Sequence, residues 1–168
     1  MSLAQDATAA LWQAFMPRRA EIPGRIGDHL VSLRTFAERP PAAQAGAAEP
    51  VLPAAPVSAS QHVLEAYAPA ALFTKYALVE VEPGGALPAG MGRFSLVAGG
   101  YAVFEHTGPA RLAPQTFGYI FGDWLPRSGY QFEPRPQFEV MAEDYDPQAP
   151  DARESIWIPI NYPEHPLG

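Results

Sequence analysis

The chain has 168 residues, 48% of them hydrophobic and 17% charged, which suits one domain with a single core. Its 11 Lys+Arg against 18 Asp+Glu leave a formal charge of -7, which argues against a primary nucleic-acid binder. There is no cysteine, so disulfides, thiolate chemistry and Cys-based zinc sites are excluded, and the four histidines are scattered without metal-ligand spacing.

No apolar run is long enough to span a membrane, and "MSLAQDATAA" lacks the basic start and apolar core of a signal peptide. A cytoplasmic protein is expected. In chain order, "DATAALWQAFMPRR" is the first periodic segment. Leu11 and Phe15, then Trp12 and Met16, recur at i, i+4 as a helical stripe. Asp6 is placed to cap this helix and Pro17 to end it. "HLVSLRTFA" alternates as a strand does, with Leu30, Ser32, Arg34 and Phe36 on one face and Val31, Leu33 and Thr35 on the other. From Glu38 to Gln61 the chain runs in Pro, Ala and Ser, too poor in large apolar residues to build core. That stretch is read as a surface insertion.

Order returns with a strand from about Leu72 to Val81, then the turn-rich "EPGGALPAGMG". "FSLVAGGYAVFEHTG" reads as a strand broken by Gly99 and Gly100. "PQTFGYIFGDWLP" is the second helix, with Pro114 in its first turn, Phe117, Ile120, Phe121 and Trp124 on its apolar face, and Pro126 closing it. "QFEVMAEDY" and "SIWIPI" are the last two strands.

The two helices end alike. "LWQAFMPRRAEI" and "IFGDWLPRSGYQ" align Phe15 with Trp124, Met16 with Leu125, Pro17 with Pro126 and Arg18 with Arg127. Each helix is followed by two strands, so the order is strand-helix-strand-strand, twice. The first module covers about 1–82, with the insertion at 38–61, and the second about 91–162. The counterpart of the strand "GGYAVFEH" would lie before Ala7, where only "MSLAQD" remains.

These stretches, with "LVEV…LPAGM", "PQFEVMAEDYDP" and "SIWIPI", are similar in kind and order to the GyrI-like effector-binding family. That family also supplies the ligand-sensing half of AraC-type and MerR-type regulators. The look-alikes nearest in pattern are stand-alone members of integron-cassette type. The resemblance implies an α+β fold of two pseudo-two-fold modules, with an antiparallel sheet, two main helices and a groove between them. It implies small, often cationic and aromatic, ligands and a glutamate at the groove's floor, matched here by Glu139. Two departures stand out: the long Pro/Ala insertion and the truncated first strand. Every convincing helix is assigned to a module, so no helix-turn-helix is expected.

Strand alternation sets Glu139 with Met141 on one face and Phe138 with Val140 on the other. A solvated strand face is the default for such a carboxylate, and the resemblance reverses it. The expected ligand-binding set is Glu139, Trp124, Trp12, Tyr76, Tyr101, Met141 and Phe121, with no metal and no cofactor. Trp12 divides evenly between core and groove, whereas Trp124 leans to the groove. Glu105 and His106 are neighbours on a strand and face opposite ways, so a structural or surface role is expected. The first functional reading is non-catalytic binding of a cationic aromatic molecule. The second is a hydrolase of strained cyclopropane electrophiles, with Glu139 activating water. The third is a protein-interaction module of gyrase-inhibitor type. No direct nucleic-acid or membrane partner is expected. A homodimer and a separate regulatory protein both stand open as partners.

Overall fold

The computed structural model describes residues 7–35 and 73–162. The Asp6 cap, the 38–61 insertion and any strand before Ala7 lie outside them. Helix α1 spans Thr8–Phe15 and passes into a 3-10 turn over Met16–Glu21 that contains Pro17. Met16 keeps α geometry at φ -56° and ψ -44°, so Pro17 does not end the helical path; without an N–H to donate one turn back, it is accommodated as the helix tightens into the 3-10 turn.

Six strands form one antiparallel sheet: β1 (Leu30–Thr35), β2 (Thr74–Leu78), β3 (Tyr101–Thr107), β4 (Gln131–Phe132), β5 (Gln137–Met141) and β6 (Arg153–Asn161). The order is β2-β1-β5-β6-β3, with β4 pairing the end of β6. β5 and β6 are interior strands, and β2 and β3 end the path.

The second helix runs past its expected end. α2 (Ala113–Tyr119) widens into a π turn (Ile120–Trp124) and resumes as α3 (Leu125–Ser128). Pro126 does not close it. A helical proline lacks a donor and crowds the carbonyl one turn back, and the wider turn directly before Pro126 gives that ring room. The stop comes at Gly129, left-handed at φ 76°, where a side chain would be strained.

β3 begins only at Tyr101, and residues 91–100 are irregular. Gly99 has a physical reason: a Cβ there would sit 2.5 Å from the Arg135 guanidinium carbon. That guanidinium donates to Gly100 O at 2.7 Å and lies 4.5 Å from the Tyr101 ring centre. The core joins Phe117, Ile120 and Phe121 to Ile156, Ile158 and Ile160 of β6. It defines the helix-bearing face of the sheet.

Candidate functional site

Residues paired across antiparallel strands point the same way. Ser32 on β1 faces Glu139 on β5, and Arg34 is paired with Gln137 on one side and Lys75 on the other. β6 continues this face with Ile156 opposite Glu139 and Glu154 opposite Met141. β3 completes it with Phe104 and His106. Because Ile156 belongs to the core beneath α2, this is the helix-bearing face.

Glu139 is 4% exposed. Its Oε1 lies 3.9 Å from Arg34 Nη2, and its Oε2 lies 3.8 Å from Lys75 Nζ. Both are ion-pair separations too long for hydrogen bonds. Among the described residues Oε2 has no hydrogen-bond partner, and neither do Ser32 Oγ and Arg34 Nε. The Arg34 guanidinium is held 4.7 Å from the Phe73 ring centre and 5.4 Å from that of Phe117. Each unpaired buried polar group costs about 1–3 kcal/mol. Two cations thus offset the charge of the one Glu139 carboxylate without satisfying its hydrogen-bonding capacity.

A second polar group lies further along the same face. Tyr145 donates its hydroxyl to Glu154 Oε2 at 3.2 Å. Burial, and then the charge of Glu139, raise the Glu154 carboxyl above its ordinary range. Burial, and then the Glu154 charge, likewise push the Tyr145 hydroxyl up. His106 is buried and shares a 2.8 Å hydrogen bond with Thr116, which ties β3 to α2. Its neighbour Glu105 is exposed and sits 3.6 Å from Arg153.

Two depressions lie beyond the end of β5. One of about 650 Å³ is lined by Asp28, His29, Ala142, Glu143 and Asp144. The other, of about 290 Å³, includes Tyr145, Ala152 and Arg153. Glu139 lines neither. Among the described residues no three acidic or histidine side chains are grouped to hold a metal, and no helix is long and apolar enough to cross a membrane.

The expected site residues separate into four places. Glu139 and Met141 share the helix-bearing face, both buried. Phe121 and Trp124 pack over β6 and β3: Phe121 is core, and Trp124 is edge-on to Phe104 at 4.8 Å and stacked on Tyr130 at 5.9 Å. Trp12 is half-buried on α1, edge-on to Phe15. Tyr76 and Tyr101 need correction. Tyr76 pairs with Leu33 and Tyr101 with Pro159, so the register sends both to the opposite face. There Tyr76 meets Phe94, and Tyr101 packs on Phe138 and Trp157 and donates to Pro136 O at 3.2 Å. Neither can donate to Glu139 through the sheet.

Sequence reasoning did not single out Arg34, Lys75 or Glu154. A signal was present for Lys75: it is the chain's one lysine, in the middle of a strand.

Residues 56–161 match the model of the GyrI-like small molecule binding domain. The transcriptional regulator BrlR of Pseudomonas aeruginosa is 27% identical over 156 residues, which cover 92% of this chain and 47% of the regulator. The chain thus spans about half the length of that relative. With an antiparallel sheet, a helix-bearing face and a buried polar cluster upon it, the chain belongs to the GyrI-like small molecule binding domain family.

Proposed function

We propose that this domain binds and senses a small cationic aromatic molecule above the polar half of the helix-bearing face, without turning it over. Glu139 is the acceptor at the floor. The observation that carries this reading is Glu139 Oε2, buried and without a hydrogen-bond partner among the described residues. A ligand N–H at that oxygen forms a charge-assisted bond that the empty protein lacks. Most of the affinity comes from buried aromatic area, and cation–π contacts add about 1 kcal/mol each. A transcriptional regulator among the relatives is consistent with a sensing role.

The internal duplication belongs to the same reading. Two strand-helix-strand-strand modules would place β1 beside β5 at the centre and β3 at one edge. The strand order is compatible with that arrangement. The groove then runs between α1 and α2 with Glu139 below it.

The test is a thermal-shift screen of aromatic cations against matched neutral analogues, on the wild type and on Glu139→Gln. A ligand at 100 times its Kd adds about 2.7 kcal/mol of stability. The expected result is a cation-selective shift, with affinity lowered by about 1–3 kcal/mol in Glu139→Gln. Equal affinity for both proteins would remove Glu139 from the site. Release of an altered ligand would replace binding by the hydrolase reading.

A further inference from the structure

The two cations beside Glu139 are not equivalent. Arg34 sits on the inner strand β1, its guanidinium held against the rings of Phe73 and Phe117. Lys75 sits on β2, at the end of the strand order, with its side chain 11% exposed. An ammonium on a flexible four-carbon stem reorients readily, whereas a guanidinium packed on aromatic rings does not. The chain's 11 basic residues include this single lysine, and its ammonium stands at Glu139, the one buried carboxylate among the described residues that two cations flank.

We propose that Lys75 is a resident counter-cation that the ligand displaces, and that the site therefore selects cations bearing N–H donors over quaternary ones. This rests on the reading of Glu139 as the ligand's acceptor. At 3.8 Å, Lys75 supplies charge to Glu139 but leaves Oε2 without a hydrogen bond. A ligand ammonium or amidinium supplies both, so exchange gains a bond at constant charge. A quaternary ammonium supplies charge alone and gains nothing over Lys75. The displaced ammonium reaches water past the sheet edge, while Arg34 stays in place. Lys75 thus acts as an internal competitor that sets a threshold on ligand chemistry.

The single lysine makes the exchange visible. Reductive ¹³C-methylation labels Lys75 and the terminal amine while keeping their charge. The probes are 2-naphthylmethylammonium and its N,N,N-trimethyl counterpart, titrated into wild type, Lys75→Met and Glu139→Gln. The primary ammonium should move the Lys75 methyl resonance toward its position in Glu139→Gln. Lys75→Met should bind it about tenfold tighter than wild type, because the competitor is gone. Lys75→Gln should tighten binding in the same direction, which guards against misfolding of the methionine variant. Loss of a common competitor should tighten both probes alike in both variants, bringing the quaternary probe into measurable range, while the preference for the primary probe persists there and is reduced in Glu139→Gln. Binding that depends on Glu139 yet is unchanged or weakened without Lys75 would overturn the displacement alone. Absence of binding by the wild type and both lysine variants would overturn the displacement and the Glu139 reading together.

Discussion

The helix-bearing face has two halves of opposite chemistry. Over β6 and β3, isoleucines close against Phe117, Ile120 and Phe121. Over β1 and β5, Ser32, Arg34 and Glu139 occupy the same face at 2%, 7% and 4% exposure. Depth of burial does not distinguish them. What differs is its energetic sign. Each apolar Å² removed from water contributes about 25 cal/mol, whereas a buried polar atom without a partner costs stability. One half pulls the helix onto the sheet. The other half is carried by the first, which is how a small domain holds an unsatisfied polar cluster in one geometry.

The sharpest break in that comparison comes from the apolar half. Ile158 is fully buried on β6 within the core cluster. Ile158→Ala should cost about 3 kcal/mol, the transfer loss plus a residual cavity. Urea denaturation should show it as a lower midpoint with an unchanged slope. A loss below about 1 kcal/mol would mean that this half does not carry the fold.

A smaller effect sharpens the polar half. Arg34→Met should cost about 2 kcal/mol, because Glu139 keeps Lys75 and the Arg34 pair lacks a hydrogen bond to lose. Adding Glu139→Gln to that variant should cost less than Glu139→Gln costs the wild type, since it strands only the Lys75 ammonium there, not two buried cations. Denaturation of the two single variants and the double variant measures this. Strict additivity would show that Arg34 and Glu139 do not interact.

The two halves were unequally legible in the sequence. The apolar stripe of Phe117, Ile120 and Phe121 follows helical period, and "QFEVM" and "SIWIPI" show strand character by local composition alone. Local rules also misread Pro126, because they treat a proline as a stop and have no term for a π turn that makes room for it. Which face a strand residue takes is another matter. Tyr76 and Tyr101 lie on strands, as local pattern predicts, yet their facing depends on the partner register, and one residue of phase reverses it. The grouping of Lys75, Arg34 and Glu139 comes from three strands far apart in the chain. No local period can report it. Glu139 came from family resemblance, not from the pattern around it.

The smallest effect concerns the boundary between the halves, where Glu154 lies buried and raised in pKa first by desolvation and then by Glu139. A carboxyl raised above 4.5 binds more protons folded than unfolded. By linkage its contribution to stability is greatest below that value and is lost as pH rises through the folded pKa. Glu154→Gln keeps an acceptor for Tyr145 and removes the ionisation. Its melting temperature should therefore exceed that of the wild type at pH 7 and converge with it as the pH falls toward 4.5 and below. A wild type that is the more stable protein at pH 7, with the gap closing in acid, would mean that Glu154 is held ionised. The positive charges near Glu139 would then extend their reach across β5, and the polar half would be wider than the register alone describes.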